Sequence, residues 1–122
     1  MRPLAIRGAT TVNSNNAEDI KTASLELIQK IVQENSIEAN DIIMLFITMT
    51  NDLTSYNAAS AIRLGMNWSE VPFFTSQEPH IDGGLEKCIR VLVQIQSAKN
   101  KSDIKHVYLG KAAALRPDLK TN

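Results

Sequence analysis

Cysteine, histidine and aromatic side chains are scarce in this sequence. Cys88 is the single cysteine, so an intrachain disulfide is excluded and a reducing compartment fits. The two histidines, His80 and His106, are too few and too isolated to build a zinc site with it. Three Phe, two Tyr and one Trp cannot furnish a base-stacking platform for nucleic acid. Charge of either sign is also not in excess. Lys and Arg total 13, as do Asp and Glu, and a zero net charge argues against a nucleic-acid or membrane-surface role. Long apolar runs are missing too: Ile42 to Ile47 is the longest, far too short to span a bilayer. Met1 to Arg7 shows no signal peptide. There is no G-x-G-x-x-G, no P-loop, no G-x-S-x-G elbow, no internal repeat and no low-complexity segment. The chain is expected to be soluble and cytoplasmic, with no nucleic-acid or membrane partner.

What is present suits one globular domain. A length of 122 residues can bury a core without metal or disulfide support. Hydrophobic residues make up 43% and charged residues 21%, ordinary for a soluble protein, and near-neutrality hints at an oligomer.

The stretch from Gln77 to Arg90 organises the rest. It sets the Glu78 carboxylate in a turn and, after Gly83-Gly84, the Arg90 guanidinium in an apolar strand. Beyond Gly84, Ile89, Val91, Val93 and Ile95 share one face; Cys88, Arg90, Leu92 and Gln94 share the other. A guanidinium cannot lose its proton to escape burial, so Arg90 needs an anionic or strongly polar partner. That partner is either a structural one, Glu78 or Glu86, or a ligand. Cys88, on the patterned strand, reads as core and not as a nucleophile.

Elsewhere the pattern predicts scaffold. Leu4 to Val12 reads as a strand, with Leu4 and Ile6 on one face and Ala5, Arg7 and Ala9 on the other. The small residues beside Arg7 leave room for a ligand or for a closely packed neighbouring strand. Asn13 to Asn16 supplies an N-cap for a helix from about Ala17 to Glu34, with Asn35 as its stop. Ile42 to Ile47 suits a strand buried on both faces, ending in the polar loop Thr48 to Asp52. A short helix, Ala58 to Leu64, is expected to stop at Gly65, with Arg63 near its end as a dipole complement. Val71 to Ser76 reads as an edge or starting strand after Pro72, and Ile104 to Leu109 as a last strand carrying Tyr108. Lys111 to Leu115 holds one helical turn, and the tip beyond Arg116 is expected to fray.

Several of these segments also carry a family likeness. Arg7-Gly8-Ala9-Thr10-Thr11-Val12, the Glu78 turn, Gly83 to Val91, His106 to Leu109 and Arg116-Pro117-Asp118-Leu119 resemble the monofunctional chorismate mutases of the homotrimeric pseudo-α/β-barrel class. The likeness runs in register over nearly the whole chain. It implies an α+β fold over residues 1–122, a mixed five-stranded sheet with helices on one side, trimerising into a pseudo-α/β barrel with active sites between subunits. It also implies the Claisen rearrangement of chorismate to prephenate in aromatic amino acid biosynthesis, with no cofactor and no metal. That reaction is pericyclic, which leaves two tasks: orienting the enolpyruvyl arm and stabilising charge on the ether oxygen.

By the same resemblance, Arg90 donates to the ether oxygen and the side-chain carboxylate, and Glu78 accepts from the ring hydroxyl. Arg7 and Tyr108 hold that carboxylate, backbone groups at Phe74 and Thr75 line the pocket, and Arg63 arrives from a neighbouring subunit. The sequence departs from the family at Thr75, commonly cysteine, and at Asn57, Ala58 and Ser60, where an aromatic, a proline and a lysine are usual. Tyr56 is a candidate to replace the aromatic. Two alternatives are a trimeric imine deaminase of similar barrel and a non-catalytic trimer that binds a metabolite.

Overall fold

A computed structural model describes residues 1–115; the Arg116 to Leu119 motif and the tip expected to fray lie outside the described residues. The opening strand, β1, spans Arg2–Thr11. Helix α1 spans Ala17–Asn35, and the Asn16 side chain caps it by accepting the Asp19 N–H at 2.8 Å. Strand β2 covers Ile42–Met49, α2 covers Ala58–Met66, β3 covers Phe73–Gln77, β4 covers Cys88–Ser97 and β5 covers Val107–Tyr108. The last segment is shorter than the six residues predicted, because its pairing with β1 is confined to Gly8–Val107 and Ala9–Tyr108. A 3₁₀ turn at Gly110–Ala114 takes the place of the helical turn expected there.

The sheet is five-stranded and mixed, in the order β3-β2-β4-β1-β5. β4 runs antiparallel to both β1 and β2, whereas β3 and β5 add parallel strands at the edges. Pro72 precedes the edge strand β3, where a missing N–H costs no ladder bond.

Alternation decides which face is core. Leu4 and Ile6 of β1, Leu45 and Ile47 of β2, and Ile89, Val91, Val93 and Ile95 of β4 are buried against Ile20, Leu27, Ile28 and Ile31 of α1 and Ile62 of α2. Gly8 belongs to this face. A Cβ there would lie 2.7 Å from Ile31 Cδ1 and 3.1 Å from Val91 Cγ2, so the small residue makes room for α1 and for the Val91 side chain of the adjacent β4. The β2 run is not buried on both faces within one chain: Ile43, Met44 and Phe46 are half-buried, because the described helices cover just one side.

The second helix ends differently from expectation. Gly65 lies inside α2, and Asn67 provides the left-handed cap with φ 57°. A Cβ on Gly65 would meet Leu25 Cδ2 at 2.3 Å, so this glycine permits close approach of α1 and α2. Asn35 does more than stop α1. Its buried amide donates to Ile31 O and Lys105 O and accepts the Lys105 N–H, tying the helix end to the segment before β5. Among the described residues, no helix is long and apolar enough to cross a membrane.

Candidate active site

The sheet face opposite the helices carries the chemistry. One row of directly paired residues runs Ser76, Thr48, Arg90, Ala9 and Tyr108. The next row runs Phe74, Phe46, Leu92 and Arg7. Arg90 therefore stands on the middle strand, and Arg7 is its diagonal neighbour, about 7–8 Å away at the backbone by sheet geometry. Phe46 and Phe74 meet edge to face at 5.6 Å, and Phe74 and Leu92 remain 64% and 42% exposed.

Glu78 follows β3 directly and continues its ladder, donating its N–H to Met49 O at 2.8 Å. Its carboxylate turns toward β4: Oε2 lies 3.5 Å from Arg90 Nε, while Oε1 accepts the Thr48 hydroxyl at 2.6 Å. Of the two carboxylates anticipated as partners for Arg90, Glu78 is the one that pairs. The pair is not sealed, with Arg90 and Glu78 side chains 42% and 23% exposed. Arg90 Nε is buried without hydrogen-bond geometry to any described group, so the ion pair is loose, and the rest of the guanidinium forms no hydrogen bond with a described residue. Arg7 forms no ion pair with a described residue; its backbone N–H donates to His106 Nδ1 at 2.9 Å.

Arg90 and Glu78 line a cavity of about 390 Å³. Its other walls come from Thr50 to Asp52 and from the loop between Pro79 and Glu86. Gly83, with φ +80°, turns that loop, and the Gly84 N–H closes it on Ile81 O at 2.9 Å. Tyr108 is buried beside Ala9 and Ala112, with Leu85 packed against the same cluster; its hydroxyl forms no hydrogen bond with a described residue. Cys88 is buried on the Arg90 side of β4. Burial pushes its thiol up against the pull of Arg90, with Glu78 and Asp52 adding to the rise, so it stays neutral.

Arg63 and Thr75 do not join this group within one chain. Arg63 is exposed in the last turn of α2, and Thr75 pairs with Ile47, on the helix-covered side at the exposed edge of β3. Two of the entrance-helix departures have local roles. Asn57 is the N-cap of α2, its side chain accepting the Ala59 N–H at 2.8 Å, and Ala58 is buried. Tyr56, the candidate to replace the aromatic, has a partner in its own chain. Its ring packs on the core, with the Lys21 ammonium 4.6 Å above its face.

Thr48, Thr50 and Asp52 carry no signal of their own in the sequence, where they fall in a polar loop. The available signal was the run of hydroxyl and carboxylate side chains at the end of an apolar strand; its target lay thirty or more residues away.

Known proteins of similar sequence and fold share one activity name. The family model described as chorismate mutase type I matches residues 4–119. Chorismate mutase AroH of Bacillus subtilis (strain 168) is 40% identical over 114 residues, covering 93% of this chain and 90% of that protein. Chorismate mutase AroH of Thermus thermophilus is 36% identical over 118 residues, covering 95% of each. Among solved structures, a chorismate mutase from Clostridium thermocellum superposes with a TM-score of 0.88 at 40% identity, covering 91% of this chain and 98% of that one. By sequence and fold, this chain belongs to the chorismate mutase type I family.

Proposed function

We propose that this chain is an isomerase that converts chorismate to prephenate. One observation carries the chemistry: Arg7 and Arg90, the latter held loosely by the fixed Glu78 carboxylate, share one sheet face. Two such cations on one face suit an anionic ligand, and chorismate is a dicarboxylate. Covalent work has little support, since Cys88 is buried and kept neutral. A rearrangement that breaks a C–O bond as it forms a C–C bond needs none.

In this reading the Glu78 contact at Nε orients the Arg90 guanidinium and leaves its outer N–H groups for the substrate. They donate to the ether oxygen as negative charge grows there, and to the side-chain carboxylate. Arg7 and Tyr108 hold that carboxylate, which restrains the flexible arm over the ring. Glu78 accepts from the ring hydroxyl. Backbone groups at Phe74 and Thr75 complete the wall. Arg63 and Thr75 lie across the fold from Arg90, so a pocket that uses both groups takes them from two copies of the chain, in a homotrimer. The exposed Phe74 and Leu92 and the half-buried Phe46 on the uncovered face support such association. A cytoplasmic location is proposed with it, in keeping with the single buried thiol.

Both named relatives are chorismate mutases, so the deaminase alternative is not favoured. The test is direct. Purified protein should consume chorismate, read as loss of its absorbance, with prephenate as the product. Thermal stabilisation by chorismate without turnover would leave a binding protein instead.

A further inference from the structure

Asp52 lines the same cavity as Glu78 and Arg90, where an ionised carboxylate works against binding a dianion. Its charge is directed elsewhere. The Lys87 backbone N–H donates to both Asp52 oxygens, at 3.1 and 3.0 Å, and the Thr50 hydroxyl donates to Oδ1 at 2.6 Å. That same hydroxyl accepts the Cys88 N–H at 2.9 Å, while the Thr50 N–H donates to Cys88 O at 3.0 Å. Burial opposes ionisation of Asp52, but the Thr50 hydroxyl, the backbone N–H groups of Lys87 and Asp52, and the Lys87 charge outweigh it. The carboxyl is held below its usual range and is ionised at neutral pH.

What these bonds hold is the loop between Glu78 and Lys87. At its start, Glu78 is fixed to Thr48 and Met49; at its end, Lys87 and Cys88 are fixed to Asp52 and Thr50. Both ends thus rest on the single stretch Thr48 to Asp52. Lys87 also has φ +48°, a left-handed conformation that costs any residue with a Cβ and persists where its surroundings impose it. Two groups grip this backbone: Asp52 accepts the Lys87 N–H, and the Val12 N–H donates to Lys87 O at 2.7 Å.

We propose that Asp52 is a positioning residue for catalysis: by gripping the left-handed Lys87 backbone it sets the start of β4, and with it the placement of Arg90 against Glu78 across the cavity. The inference rests on reading that cavity as the chorismate site.

The test pairs turnover with amide hydrogen exchange in the full chain. Asp52→Asn keeps the shape but removes the charge and one acceptor. Misplacement on this scale should lower kcat on the order of tenfold to a hundredfold, with KM changed much less. The Lys87 and Cys88 amides should exchange faster. Lys87→Gly, which adopts the same φ without a Cβ penalty, should recover part of the lost kcat in the double variant. A kcat equal to wild type, or above it as relief of charge repulsion would give, overturns the proposal; so does unchanged exchange. Should Asp52→Asn fail to fold, Thr50→Val is compared with Thr50→Ser, which keeps the bridging hydroxyl, and equal kcat in the two overturns it. If wild-type protein leaves chorismate unchanged, the functional reading fails, and exchange at Lys87 still decides whether Asp52 holds the loop.

Discussion

Thr48 and Glu78 are joined by a 2.6 Å hydrogen bond, formed from a strand position directly beside Arg90. The hydroxyl occupies one carboxylate oxygen, which leaves the other to face the guanidinium. A hydrogen bond to a charged group contributes roughly 1.5–3 kcal/mol, so Thr48→Val should lower kcat/KM about tenfold to a hundredfold. Thr48→Ser should recover most of the loss. Steady-state kinetics on chorismate decides it, and unchanged kinetics in the valine variant would remove Thr48 from the site.

Arg90 makes the larger prediction. Replacing it by a neutral residue of similar shape should cost about 10²–10³ in kcat, more than it weakens product binding. Arg90→Lys should also be poor, because an ammonium cannot make the planar, bidentate contact. Near-normal turnover in both variants would return the Arg90–Glu78 pair to a purely structural role.

Gly8 tests the packing beneath the site. An added methyl would press on the buried Ile31, Val91 and Leu27 at 2.7–3.2 Å. Gly8→Ala should destabilise the fold by about 1–3 kcal/mol, the usual cost of overpacking. Chemical denaturation measures this directly. A variant as stable as wild type would mean that α1 shifts away from β1 at little cost.

Turnover should be independent of pH through the neutral range, since arginines do not titrate there and the rearrangement needs no acid or base. The acid limit should come from stability. Asp52 is depressed in the folded state, so its contribution is complete above the ordinary value of 3.8 and is lost as pH falls through the lower folded value. Cys88 acts at the other end. Its folded value is raised above the ordinary 9.0, so stability is retained below that and declines as pH climbs from it toward the folded value. A bell-shaped rate profile near neutrality, not explained by unfolding, would point to His80, His106 or Cys88 and against this mechanism.

The proposed shared pocket predicts complementation. Arg90→Ala and Arg63→Ala chains, each nearly inactive, are unfolded and refolded together. With random assembly in a closed head-to-tail ring, roughly one pocket in four takes both arginines from the intact sides. Activity near that fraction supports the interface. Subunit exchange without any gain over the two single variants rejects it, and full activity of Arg63→Ala would leave the Arg90 half standing by itself.

Local pattern by itself determined a good part of this protein. The alternation from Cys88 to Ile95 assigns Arg90 to the uncovered face, because side chains on a strand must alternate. The polar turn ending at Asn16 starts α1 through its own side chain, within one turn of the helix. Arg7, Glu78, Arg90 and Tyr108 were legible as a set through their family likeness. Tertiary structure decided what depends on partners distant in sequence. Gly65 has the composition of a helix stop, yet Leu25 makes it a packing contact and leaves the cap to Asn67. Thr48 gains a role because strand register sets it opposite Arg90. Asp52 gains one because β2 ends where the loop before β4 returns, thirty-five residues later. Register and loop closure are non-local, so no window along the chain contains them.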